Sequence, residues 1–130
     1  MAKANVGLLL VLAGALAVPA VGSSALAKDG DVIVRAACSA GSTAKLKLSG
    51  EAGSRIETEV EVDQNRNGVP WTVVLTRDRT RVARVLRLTR APSSSFTLRR
   101  LVANPAGANV IRAVATRRGE RCAVRATWAR

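Results

Sequence analysis

The chain contains no histidine and no tyrosine, and its aromatic residues are limited to two tryptophans and one phenylalanine. Without an imidazole, the serines at 93, 94 and 95 have no base of the usual kind to activate them, and two cysteines have no histidine to complete a tetrahedral zinc site. Three aromatics are too few to fill a core and also line a surface with stacking platforms, so nucleic acid is not expected as a partner. Acidic residues are scarce as well. Nine Asp and Glu stand against 21 Lys and Arg, a formal net charge of +12.

Only one long apolar run is present, residues 6–21, and it lies at the N-terminus behind a single charge, Lys3. Pro19 and Gly22 interrupt it before Ala25-Leu26-Ala27 places small residues at −3 and −1 of a cleavage point. A charged start, a short apolar core and an A-x-A site form the pattern of a secretory signal peptide, with cleavage expected after Ala27. The alternative, a membrane anchor, needs about 20 apolar residues, and this run is shorter. The expected domains are a signal peptide over 1–27 and one exported domain over 28–130. Removing Lys3 leaves 20 basic and 9 acidic residues, a net charge of +11.

Two cysteines, Cys38 and Cys122, lie in the exported part. An even number of cysteines in an exported chain reads most simply as a disulfide, and the alternative of two thiols in a metal site lacks further ligands. The bridge would close a loop of 84 residues, which the chain-entropy model values at roughly 4.5 kcal/mol before native strain.

Alternation of apolar and polar residues dominates the exported part. Residues 56–62, IETEVEV, keep one apolar-leaning and one acidic face at period two. Turn residues separate such runs every 8 to 12 residues, the spacing of an all-β sandwich or barrel. Strands are expected at 32–38, 43–49, 55–63, 70–77, 80–89, 95–102, 109–117 and 121–129. The predicted fold is all-β, an antiparallel two-sheet sandwich of Ig-like architecture with about seven or eight strands. Trp71, Phe96 and Trp128 are assigned to inward faces. Trp71 follows Cys38 by 33 residues, which does not fit the immunoglobulin signature itself.

The segments AKLKLSG, RIETEVEVDQNRNGVPWTVVL, TRAPSSSFTLRRLVAN and RRGERCAV resemble small secreted proteins common in actinobacteria, built from a signal peptide and one β-domain. The resemblance covers most of the exported part. It implies secretion and a sandwich, and it carries over no functional residue.

Asp63-x-Asn65-x-Asn67-Gly68 opens like a calcium loop, but loop position 12 falls on Val74, and Arg66 puts a cation inside. The segment is read as a strand connection tolerant of positive φ, with Asp63, Asn65 and Asn67 as a weak metal alternative. Glu57, Glu59 and Glu61 are spaced by about 6.7 Å along one strand face. That distance suits an inverting glycosidase, but any i, i+2 pair on a strand satisfies it, and pairing with arginines of the adjacent strand is the expected role. Lys45 and Lys47 are expected to be exposed. No cofactor and no catalytic residues are assigned.

The basic residues carry the remaining signal. Residues 77–100 hold Arg77, Arg79, Arg81, Arg84, Arg87, Arg90, Arg99 and Arg100 against Asp78 alone. A second set, Arg112, Arg117, Arg118, Arg121, Arg125 and Arg130, is offset only by Glu120. Such a surface favours anionic partners. The expectation is a secreted, non-enzymatic binding or envelope-associated module for an anionic cell-envelope polymer or an acidic protein, the first arginine set being the candidate anion site. The alternatives are an arginine-rich face that is merely solvated, a small inhibitor or toxin-like effector acting through the loop at 91–95, and a hydrolase built on the glutamate row.

Overall fold

The computed structural model describes residues 30–129, so the expected signal peptide and its cleavage point lie outside the described residues. Eight strands follow one another: β1 (Val32–Ala37), β2 (Thr43–Glu51), β3 (Arg55–Asp63), β4 (Pro70–Arg77), β5 (Thr80–Leu88), β6 (Ser95–Ala103), β7 (Asn109–Arg117) and β8 (Glu120–Trp128). They form two antiparallel four-stranded sheets, ordered β1-β2-β3-β6 and β5-β4-β7-β8. Among the described residues no helix is long and apolar enough to cross a membrane. The expected strands agree with the observed ones to within two residues at every end.

Alternation decides which side chains meet between the sheets. Leu46, Leu48, Ile56, Val60 and Val62 of the first sheet face Trp71, Val73, Leu75, Ile111 and Ala113 of the second, all buried. The three aromatics are buried as expected, and Trp71 meets Phe96 with ring centroids 6.3 Å apart. The Trp128 ring covers Gly50 so closely that a Cβ there would lie 3.1 Å from it. Among the described residues the core runs from Val32 to Trp128, within the expected exported domain.

Short turns set the registers. Asp78 and Arg79 join β4 to β5 with φ of 45° and 69°, the two positive values of a type I′ hairpin whose twist suits the strands. A bulge follows at once: Leu75 pairs with Ala83 but Thr76 pairs with Arg81, leaving Val82 as the extra residue. Between β3 and β4, the buried Thr89 hydroxyl donates to the Arg66 carbonyl at 2.6 Å and accepts from the Val69 amide at 2.9 Å.

Among the described residues, one buried side-chain polar atom is unmatched. Thr58 is fully buried on the inner face of β3, and its hydroxyl has no hydrogen-bond partner. An unmade hydrogen bond of this kind costs about 1–3 kcal/mol. Thr58→Val, which replaces the hydroxyl by a methyl of similar size, is expected to raise the melting temperature by several degrees. A lowered melting temperature would show that the hydroxyl does bond.

Candidate anion-binding face

Period-two alternation places every outward residue on one of two faces, and the two carry opposite chemistry. The outer side of the first sheet holds Asp31, Glu51, Glu57, Glu59, Glu61 and Asp63, six of the eight described acidic residues. Its cations answer them across the strands. Arg99 Nε lies 3.0 Å from Glu59 Oε2, Lys45 Nζ 3.5 Å from Glu61 Oε2 and Lys47 Nζ 3.7 Å from Asp31 Oδ2. The expected pairing of the glutamate row with an arginine of the adjacent strand is therefore present for Glu59, whereas Glu61 pairs with a lysine. The expected exposure of the lysines is not: Lys47 is buried and Lys45 half-buried, because each lies flat between β1 and β3 against a carboxylate.

The outer side of the second sheet carries Arg81 and Arg84 from β5, Arg112 from β7, and Arg121 and Arg125 from β8, with Thr72, Val74, Thr76, Val114 and Ala123 between them. All five arginines are exposed. Register aligns Arg81, Thr76, Arg112 and Arg125 in one row across the four strands. Arg112 and Arg125 are direct cross-strand partners, with about 4.5–5.5 Å between their Cα atoms, and like charges so placed repel. Among the described residues, none of the five guanidinium groups forms an ion pair. A shallow open depression of about 960 Å³ runs along this row, lined by Thr76, Arg79, Val110, Arg112 and Arg125 among others. Asp78 stands at its end, where its carboxylate accepts from the Val110 amide at 2.8 Å.

The structure thus divides the arginine set of residues 77–100. Arg81 and Arg84 lie on the cationic face, and Arg79 stands at its margin in the turn. Arg77 reaches toward the other sheet and donates to the Ala103 carbonyl at 3.2 Å. Arg87 sits opposite Trp71 at the free edge, and Arg90 closes the 91–94 turn by pairing with Ser95. Arg99 belongs to the opposite, ion-paired face. Arg100 shares a register row with Thr58 on the open side of β6. In place of these five, the fold brings in Arg112, Arg121 and Arg125 from the second set.

Other candidate residues are tied up in structure. Asn67 Oδ1 accepts from Ser94 Oγ at 2.8 Å, and Gln64 Oε1 accepts from the Trp71 indole at 3.2 Å. Asp63 and Asn65 lie beside a separate depression with Arg117, so Asn67 points into a different contact from the other two members of the calcium-like run. Among the described residues no cluster of three His, Cys, Asp or Glu side chains could hold a metal ion. Cys38 and Cys122 are bonded to each other.

By sequence Glu120 only offsets the arginines, yet in the fold it ties a loop and a strand to the core. It is buried two residues before Cys122, where Oε2 accepts from the Ala40 and Ser42 amides, both at 2.9 Å. Oε1 accepts from Ser42 Oγ at 2.7 Å and from Arg117 Nε at 3.1 Å. Arg117 in turn stands over the Trp71 ring, 5.6 Å from its centroid. Its phase with Cys122, Val124 and Ala126 was the available signal, since period two puts this carboxylate on the inner side.

With the geometry set out, the comparisons with known proteins add no relative. No protein-family model matches the chain, and neither a curated protein nor a solved structure does.

Burial would push the Glu120 carboxyl up, but the hydrogen bonds from Ser42, Ala40 and Arg117 outweigh it and hold the pKa below the ordinary glutamate value. A depressed folded pKa contributes stability that is complete above the unfolded pKa and is lost as pH falls through the folded one. Glu120→Gln is expected to cost about 2–3 kcal/mol at neutral pH. It is also expected to flatten the loss of stability below about pH 4. Parallel acid-melting curves for the two proteins would contradict this.

Proposed function

We propose that this protein is an exported, non-enzymatic binding module that is retained at an anionic partner by the outer side of its second sheet. The observation that carries the reading is the facing pair Arg112 and Arg125 with Arg81 in the same row, none of them in an ion pair among the described residues, while the opposite face is ion-paired. An excess of arginine used only for solubility would be indifferent to side. Here the excess is segregated, and the repulsion between register partners is relieved when an anion lies between them.

Guanidinium groups suit this role because their planar forks bind phosphate or carboxylate bidentately and stay charged at any pH the chain meets. Binding of a polyanion would release its condensed counterions, so affinity falls as salt rises. The signal-peptide pattern supports the compartment, and the disulfide accords with an oxidising one.

Titration of inorganic polyphosphate across a range of salt tests this reading. Arg112→Ala with Arg125→Ala is expected to lower the slope of log affinity against log salt by about 2. Arg35→Ala with Arg55→Ala, the same loss of charge on the first sheet, is expected to leave the slope nearly unchanged. Equal effects of the two pairs would mean that only net charge matters, and would overturn the assignment to this face.

A further inference from the structure

The cationic face also carries exposed apolar side chains, which a purely ionic partner would leave in water. Leu86 and Leu88 project outward from β5 with 63% and 42% of their surface exposed, and Val110 at the far end of β7 with 39%. Leu86 lies in the register row of Thr72 and follows Arg84 on the same side of the strand. From the positions of these groups we infer that the partner of this face is the surface of an anionic phospholipid bilayer, with Leu86 and Leu88 entering its apolar boundary. The inference rests on the anion-binding reading and adds the chemical class of the partner.

Two features favour a bilayer over the other anionic partners. Protein interfaces place apolar groups at the centre and charge at the rim; here Leu86 and Leu88 stand on the edge strand, while Arg112 occupies an inner strand. A hydrophilic polymer would use the arginines but gain nothing from the leucines. A lipid interface uses both, since guanidinium groups meet headgroup phosphates while apolar stems and leucines lie along the acyl boundary.

The test is cosedimentation of the 28–130 chain with vesicles of phosphatidylcholine alone and of phosphatidylcholine mixed with phosphatidylglycerol, at low and high salt, beside polyphosphate binding. The expected result is association with the anionic vesicles only. Arg112→Glu with Arg125→Glu should weaken it by about thirtyfold or more, as expected when two cations near an anionic leaflet are removed. Leu86→Ser with Leu88→Ser should lower vesicle affinity by about tenfold or more, remove whatever binding survives high salt, and leave polyphosphate binding unchanged. Both leucines are exposed, so unaltered melting of that variant serves as the folding control. Vesicle binding indifferent to the leucines, or polyphosphate binding without vesicle binding, would overturn the lipid inference and leave the anionic reading standing. Failure to bind either would overturn both, and equal binding to neutral vesicles would overturn the ionic reading.

Discussion

The two sheets of a sandwich are not joined by a shared backbone ladder, so their placement rests on side chains and connecting loops. In this protein the strongest of those ties gather on one side, where β8 lies beside β1 and β2. Cys38 and Cys122 are bonded there, the Ser39 amide donates to the Arg121 carbonyl, and Glu120 collects three donors from residues 40–42. Arg117 continues the chain of contacts from Glu120 to Trp71, the largest fully buried side chain. A buried carboxylate with one donor would be a liability. With four it fixes loop, strand and core to one another. The opposite side, between β5 and β6, has no comparable clamp among the described residues, and both strands there are sheet edges.

The same alternation that builds the core sorts the charges. On β2 the outward positions include Lys45, Lys47 and Glu51, on β3 Glu61, Glu59 and Arg55, and antiparallel register brings these opposite signs together. On β7 and β8 the outward positions are Arg, Val, Thr and Ala, and register brings Arg112 to Arg125. Repulsion between those two is weak enough in water to be carried by the core beneath, and long arginine stems can lie over Val74, Val114 and Ala123. A surplus that looks uniform along the chain is therefore one-sided in space, which is the condition for a directed field.

How much of this was legible follows from the range of each interaction. Strands, turns and inward aromatics come from local alternation, and IETEVEV or the Asn65–Gly68 turn can be read without knowing their neighbours. The outward parity of Arg112 and Arg125 was equally available from Ile111, Ala113, Val124 and Ala126. Their meeting with Arg81 was not, because it depends on β4 pairing with β7 across two intervening strands. Clustering arginines by sequence proximity joined Arg99 to Arg84, although the crossing from β5 to β6 changes sheets and sends them to opposite faces. The burial of Lys47 is hidden from local pattern for a similar reason. Its burial depends on Asp31 and on flanking strands that local pattern cannot place.

The bulge at Val82 shows how closely edge protection and surface chemistry are coupled. Arg81 and Arg84 are three residues apart, and on a regular strand they would face opposite sides. The extra residue resets the phase and brings both onto the cationic face, while the bend it introduces blunts a free edge. Charge protects the rest of that edge. An antiparallel self-pairing centred on Arg84 would set Arg84 against its own copy and Arg81 against Arg87, like charges at direct cross-strand positions. Leu86 and Leu88 therefore stand beside guanidinium groups that oppose a second copy of the chain and favour a negatively charged surface. An apolar edge is ordinarily a site of aggregation; flanked in this way, it is biased toward anionic neighbours by the charge that protects it.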